Sequence, residues 1–378
     1  MILFRCLMLN LIILWSSTIL SHYFKHRLLW MFVVILSGIT AILNFNNFLP
    51  QMTSLNYFAP PHGIEFGWKK LPYLSLSLFL FSSLVTAISI YISSSALTAG
   101  FICSLLGIYK ICITLDWFNL YVGLELLFSG FIYLTSYIKW PRLLQYMKIQ
   151  ILGTTCILLG IIIFYNKTAN LQITTTNSAC YIIAIGALLK SATFPFLLWA
   201  DIYDTLPFNL FAWSTILLSK ISVYIIILCI KSLSIIELQI VHYLSAFSIL
   251  LSSIFMVQSE NSKKILCFFA AQSSAISIAT ITANSSLTLY STNLVSMYII
   301  QYMLSQYMLY FCKSQILQVI SILSFSAVPP TFGFFAKFFL LQFLYAQSKY
   351  FCCICILIAN FYTTVCMEKI YSKLVNTE

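Results

Sequence analysis

The sequence predicts an all-α polytopic membrane protein of about 13 transmembrane helices. Three observations predict it. Of 378 residues, 61% are apolar and 8% are charged, where a soluble domain has about 25% charged. A chain this apolar cannot hide its surface in one water-soluble core, because surface-to-volume scaling would split it into domains. Apolar runs of roughly bilayer-crossing length recur from one end to the other, separated by short polar breaks.

The runs are taken in order. The first predicted helix covers about 2–20 and the second about 28–45. The stretch MILFRCLMLNLIILWSSTIL lacks the Arg- and Ser-rich pattern of a transit peptide, and SHYFKHR follows it without a small-residue cleavage site, so it is expected to stay as a membrane helix. The lack of an import signal suits a protein made inside an organelle. The bias to Ile, Phe, Tyr, Leu and Asn is what an AT-rich genome encodes. A polar loop with Pro50, Pro60, Pro61, Glu65, Lys69 and Lys70 comes next. The third to sixth helices are expected at about 72–91, 94–113, 117–138 and 149–165. The seventh, about 178–199, contains Lys190 and Pro195; the eighth, about 208–230, contains Lys220. The ninth to eleventh fall at about 238–257, 264–283 and 287–311. The twelfth, about 316–346, is too long for one straight span, and Pro329, Pro330 and Gly333 break it near the middle. The thirteenth covers about 350–367.

Two broken helices separated by unbroken ones are the sequence pointer to an inverted-repeat transporter. The expected organisation is an N-terminal group of helices 1–3 at 1–92, a first repeat of helices 4–8 at 93–231, a second repeat of helices 9–13 at 232–367, and a polar tail at 368–378. Helices 7 and 12 are then equivalent, and each carries a lysine, Lys190 and Lys337.

The net charge of +11 is spread over loops. It forms no basic face with aromatic platforms, so nucleic-acid binding is excluded as a reading. Loop charges such as Lys139, Arg142, Lys148, Lys263 and Lys264 instead set topology, with the N-terminus outside. The twelve cysteines are scattered, and the cluster Cys352, Cys353 and Cys355 fits neither a zinc knuckle nor an iron–sulfur cluster. His22, His26, His62 and His242 are dispersed. No metal site and no Gly-rich phosphate loop is expected.

Few ionisable side chains fall deep within the apolar runs: Glu125, Lys190, Lys220 and Lys337. Lys110 lies near a helix end and can snorkel. A lysine at mid-membrane costs about 2.5–3.5 kcal/mol on insertion scales, so such a residue is a functional candidate with a partner to be named. The structural alternative is a buried ion pair. The functional one is a proton relay. Desolvation favours the neutral form of an amine and a nearby carboxylate favours the charged form, so an amine that alternates between the two takes up and releases a proton. Glu125 is the carboxylate expected to pair with Lys190. Broken backbone beside Lys190 and Lys337 would free amides and carbonyls to hold water at that depth.

The stretch KSATFPFLLWADIYDTLPFNLFAWSTILLSKISVY, opened by Lys190 and holding Lys220 in an SKI context, resembles the seventh and eighth helices of the antiporter-like subunits of respiratory NADH–quinone oxidoreductase, complex I. DWFNLYVGLELLFSGFIYLTSY resembles that family's fifth helix, with its glutamate at Glu125. KKILCFFAAQSSAIS resembles the start of the tenth, and LSFSAVPPTFGFFAKFFL the twelfth. The resemblance covers about 100–347. Within the family it is nearest to the subunit 2 branch. Subunit 4 usually carries a glutamate where this chain has Lys337, and subunit 5 has a long lateral C-terminal helix. One departure is the tenth helix, where family members often have a histidine and this chain has Gln272, Ser273 and Ser274.

The resemblance implies a proton-translocating membrane-arm subunit, with Glu125, Lys190, Lys220 and Lys337 as the relay. It implies no directly bound cofactor; NADH, FMN, iron–sulfur clusters and quinone would belong to other subunits. The implied partners are other membrane-arm subunits, including subunit 4 and small membrane subunits, and lipids. The implied location is the mitochondrial inner membrane, ahead of a bacterial plasma membrane. A stand-alone cation/proton antiporter and a non-pumping structural subunit of the same complex stay open.

Overall fold

A computed structural model describes residues 12–21, 26–48, 72–93, 97–114, 116–135, 140–173, 178–191, 193, 206–284, 289–312 and 314–375. Those residues are helical apart from short connections. They form two compact units, Met1–Ile138 with Ile157–Ala179, and Lys139–Cys156 with Cys180–Glu378.

The first unit holds α1 (Ile12–Ser21), α2 (Arg27–Phe48), α3 (Pro72–Ile92), α4 (Thr98–Ile113) and α5 (Trp117–Leu134). The later part of α6 (Trp140–Thr168) joins them. The α4–α5 contact is set by small residues. A methyl placed on Gly123 would come within 3.1 Å of the Gly107 carbonyl, and one on Gly130 within 2.9 Å of the Gly100 carbonyl. Lipid supplies no hydrophobic drive between helices, so such close backbone approach carries much of the association.

Helix α5 begins where it does because Asp116 caps it. Its carboxylate accepts from the Asn119 amide at 2.6 Å and from the Asn119 carboxamide at 2.7 Å. Asp116 also pairs with Gln172 in an isolated antiparallel bridge. Replacing Asp116 by Ala leaves that buried amide unsatisfied and is expected to cost about 1 kcal/mol. A lowered thermal midpoint of the detergent-solubilised protein checks this, and an unchanged midpoint refutes it.

The second unit holds the start of α6, then α7 (Cys180–Lys190), α8 (Phe208–Cys229), α9 (Ile235–Gln258), α10 (Ser262–Thr282) and α11 (Leu289–Phe311). It ends with α12 (Gln315–Phe325), α13 (Phe332–Ala346) and α14 (Tyr350–Val375). Helices α8 and α10 are its centre: 94% of the apolar span of each is buried inside the protein, against 50% for α9 and 39% for α14. A helix apolar all round is a core helix, and one wetted by lipid on one side is peripheral. Ser234 starts α9 with a capping box, its hydroxyl accepting from the Glu237 amide while Glu237 reaches back to the Ser234 amide. Among the described residues, six helical spans are long and apolar enough to cross a membrane, and shorter apolar helices accompany them. The chain is a multi-pass membrane protein.

The twelfth predicted helix is two helices. It stops at Phe325 and restarts at Phe332, with Pro329 and Pro330 in the non-helical gap. Gly333 is not in the gap. It lies in the first turn of α13, so its role is packing rather than breaking. The seventh predicted helix ends at Lys190, well before the expected 199. Pro195 and Asp201–Asp204 lie outside the described residues. The tail expected at 368–378 is helical as far as Val375.

Candidate functional site

Lys220 sits in the middle of α8 and is fully buried. Its ammonium donates to the Ser273 and Ser274 hydroxyls of α10, the latter at 3.1 Å, and reaches the Ala270 carbonyl at 3.4 Å. It also lies 4.0 Å from the centre of the Tyr302 ring on α11. The Tyr302 hydroxyl is anchored on the Thr215 carbonyl of α8 at 3.3 Å. The two serines form one short turn with the lysine because residues three and four apart from Ala270 share its helix face. A serine hydroxyl can accept from an ammonium or donate to a neutral amine.

Lys337 lies in α13 and is 3% exposed. Its ammonium donates at 2.8 Å to the Phe325 carbonyl and at 2.8 Å to the Asn360 carboxamide oxygen of α14. Phe325 is the last residue of α12, so its carbonyl is one that the helix leaves without an internal partner. The negative end of the α12 dipole favours a cation there. This is the way half-helix ends hold cations in transporters.

Next to Lys337 lies a buried polar knot. The Gln301 carboxamide donates to the Ser305 hydroxyl at 3.2 Å and the Ser324 hydroxyl at 2.9 Å, and Ser305 donates to Ser324 at 3.0 Å. It ties α11 to the last turn of α12. Between Lys220 and Lys337 stand three rings. Phe269 is 5.7 Å from Tyr302 and 4.7 Å from Phe325, centre to centre, and the Lys337 ammonium is 5.9 Å from Phe269. The two lysines therefore face one aromatic cluster from Lys220 on Tyr302 and from Lys337 on Phe269.

Lys190 is the last residue of α7 and is 7% exposed. Its ammonium donates to the Gln150 carboxamide of α6 at 3.3 Å. Gly153 makes room for it: a methyl there would meet the Lys190 Cγ at 3.0 Å and the Gly186 carbonyl at 3.2 Å. Past the helix end, the Ser191 and Thr193 hydroxyls both take the Leu188 carbonyl, at 2.9 and 3.0 Å. Side-chain hydroxyls thus satisfy backbone that the break leaves open.

Glu125 lies in α5, in the first unit, and is half-buried. Tyr121, one turn earlier, lies beside its carboxylate. Lys190 belongs to the second unit.

No protein-family model matches the chain. Solved structures do. A chain of the Mrp complex from Dietzia sp. DQ12-45-1b superposes with a TM-score of 0.86 at 16% identity, over 98% of this chain and 80% of that one. The chain has the antiporter-like fold. A chain of the membrane-bound sulfane sulfur reductase, an archaeal respiratory membrane complex, gives 0.84 at 15% identity, covering 97% and 86%. A chain of respiratory complex I from Thermus thermophilus with bound aureothin gives 0.74 at 15% identity, covering 96% and 88%. At such identities the antiporter-like fold is shared and the chemistry is not thereby transferred.

The sequence singled out the three lysines. It did not single out Gln150, Ser273, Ser274, Tyr302, Asn360 or the Gln301–Ser305–Ser324 knot. The available signal was a polar residue inside an apolar run, and Gln272, Ser273 and Ser274 carried it, though read only as a lost histidine.

Proposed function

We propose that the chain is a proton-translocating membrane-arm subunit of respiratory complex I, corresponding to subunit 2 of NADH–quinone oxidoreductase in the mitochondrial inner membrane. One observation carries the reading. The ammoniums of Lys190, Lys220 and Lys337 are buried in an apolar unit and bound to oxygens of carboxamides, hydroxyls and carbonyls. Such partners stabilise a charge less firmly than a carboxylate and leave the proton free to move. The likeness to a complex I chain supports the reading, and so does the family pattern around Lys190, Lys220 and Lys337. Lys337 at the position where subunit 4 usually has a glutamate supports the subunit 2 assignment.

In this reading Glu125 modulates Lys190, and protons pass laterally among Lys190, Lys220 and Lys337. The redox groups, FMN and iron–sulfur clusters, and the NADH and quinone sites lie in other subunits. Neighbours are subunit 4, small membrane subunits and lipid. A stand-alone cation/proton antiporter is the second reading.

The test is to solubilise native membranes in mild detergent and separate complexes by size. The chain is expected to co-migrate with NADH:quinone oxidoreductase activity. Migration as a small oligomer away from that activity rejects complex I membership and selects the antiporter.

A further inference from the structure

We propose that Asn360 is a positioning residue that lets Lys337 gain and lose a proton without stranding a buried polar group, and that Gln150 does the same for Lys190. The inference rests on reading these lysines as proton carriers. It adds the device that holds them.

The arrangement occurs twice. At each helix break a buried lysine is met by a carboxamide oxygen from a different helix: Asn360 of α14 at 2.8 Å, and Gln150 of α6 at 3.3 Å. An ammonium has donors and no acceptor, whereas a neutral amine has a lone pair that wants a donor. A carboxamide carries both functions on one plane. A half-turn about its last torsion, which is broad and roughly two-fold, exchanges oxygen for NH2. The oxygen then serves the charged lysine and the NH2 serves the neutral one. A carboxylate offers only acceptors and holds the lysine charged. An aliphatic side chain offers nothing and leaves a buried amine unpaired, which is costly.

Asn360 has the freedom this needs. It is half-buried, and its Nδ2 amine makes no hydrogen bond among the described residues. Its main-chain carbonyl accepts from the Thr363 and Thr364 hydroxyls of the same helix at 2.7 and 2.9 Å, and neither bond involves the carboxamide, so the amide can turn without breaking them. Among the described residues, the titratable groups that face α13 from the elements packed against it include Tyr298 of α11 and Cys352 and Cys355 of α14, which share an apolar cluster with Ala336 and Leu340. They also include Cys353, whose thiol donates to the Leu341 carbonyl at 3.9 Å, Tyr290 of α11 against Phe343, and Tyr350 of α14 against Tyr345. Lys369, further along α14, donates to the Val257 carbonyl at 3.1 Å. Among the described residues no carboxylate meets Lys337.

The experiment uses the intact complex in membrane vesicles, with Asn360→Asp, Asn360→Leu and Lys337→Met. Proton uptake per NADH oxidised is measured across pH, with the assembled complex quantified in parallel. Asn360→Asp is nearly isosteric and decides the matter even where Asn360→Leu assembles poorly. It is expected to lower proton uptake about tenfold at neutral pH, with recovery as the pH is raised, because the carboxylate holds Lys337 charged by an amount worth about a tenfold bias. Asn360→Leu is expected to lower uptake at every pH. Wild-type uptake and pH profile in Asn360→Asp overturn the inference, as does an equal, pH-independent loss in both Asn360 variants, which marks a merely structural asparagine. If Lys337→Met fails while Asn360→Asp is normal, only the inference falls. If Lys337→Met itself translocates normally, Lys337 is not a carrier, and the reading beneath both falls.

Discussion

Replacing Lys220 by Met is expected to lower proton translocation about a hundredfold or more, the scale of removing an acid–base group, while the complex assembles at its normal level. The structure explains why assembly should survive. Ser273 and Ser274 each donate to the Ala270 carbonyl, at 2.8 and 3.0 Å, whether or not the lysine is there. Removing the ammonium therefore strands no hydroxyl proton, and the penalty for an orphaned buried group does not arise. Met keeps most of the side-chain volume, and its sulfur packs favourably beside an aromatic ring such as Tyr302. It also removes the roughly 2.5–3.5 kcal/mol cost of placing a lysine at membrane depth. What is lost is the group facing Tyr302 on one side of the aromatic cluster that Lys337 faces on the other. The measurement is NADH-driven proton uptake into vesicles, normalised to assembled complex. Normal uptake at normal assembly removes Lys220 from any relay. Poor assembly with normal uptake per complex makes it a structural residue.

The helices were legible because apolar run length is the dominant signal in a membrane protein, and the described helices fall on the predicted runs. Their ends were less legible. The charged residues Glu368 and Lys369 were read as a tail, yet a helix leaving the bilayer need not stop there, and α14 runs on to Val375. Pro195 was read as breaking the seventh helix and lies outside the described residues; α7 ends at Lys190, where the Ser191 and Thr193 hydroxyls cover the Leu188 carbonyl. The lysines stood out because charge is rare at this depth. Their partners did not, since Asn360, Gln150 and Tyr302 are unremarkable in a list of residues and acquire meaning only from distances across helices. Phe269, Tyr302 and Phe325 come from three helices, and no local pattern joins them.

Gly333→Ala is expected to destabilise the second unit by about 1–3 kcal/mol, the usual range for an overpacked contact. A methyl on Gly333 runs into the Ser324 carbonyl and would lie 2.8 Å from the Ser324 hydroxyl. The obstacle is backbone, which cannot rotate away as a flexible side chain can. Ser324 is itself held by Gln301 and Ser305, so it cannot retreat without breaking that knot. The remaining way out is to move α13 off α12. That displacement also draws Lys337 away from the Phe325 carbonyl, which it meets at 2.8 Å. One added carbon thus disturbs both packing and a candidate proton carrier. A loss of this size lowers the amount of assembled complex several-fold, and the complex that survives is expected to translocate protons more slowly. Gly153→Ala is the control, because there the methyl meets the Lys190 Cγ at 3.0 Å, an atom of a flexible side chain. It is expected to cost less. Quantifying the assembled complex and its thermal midpoint in both variants decides the issue: wild-type stability in Gly333→Ala would show that α12 and α13 are not locked at this contact.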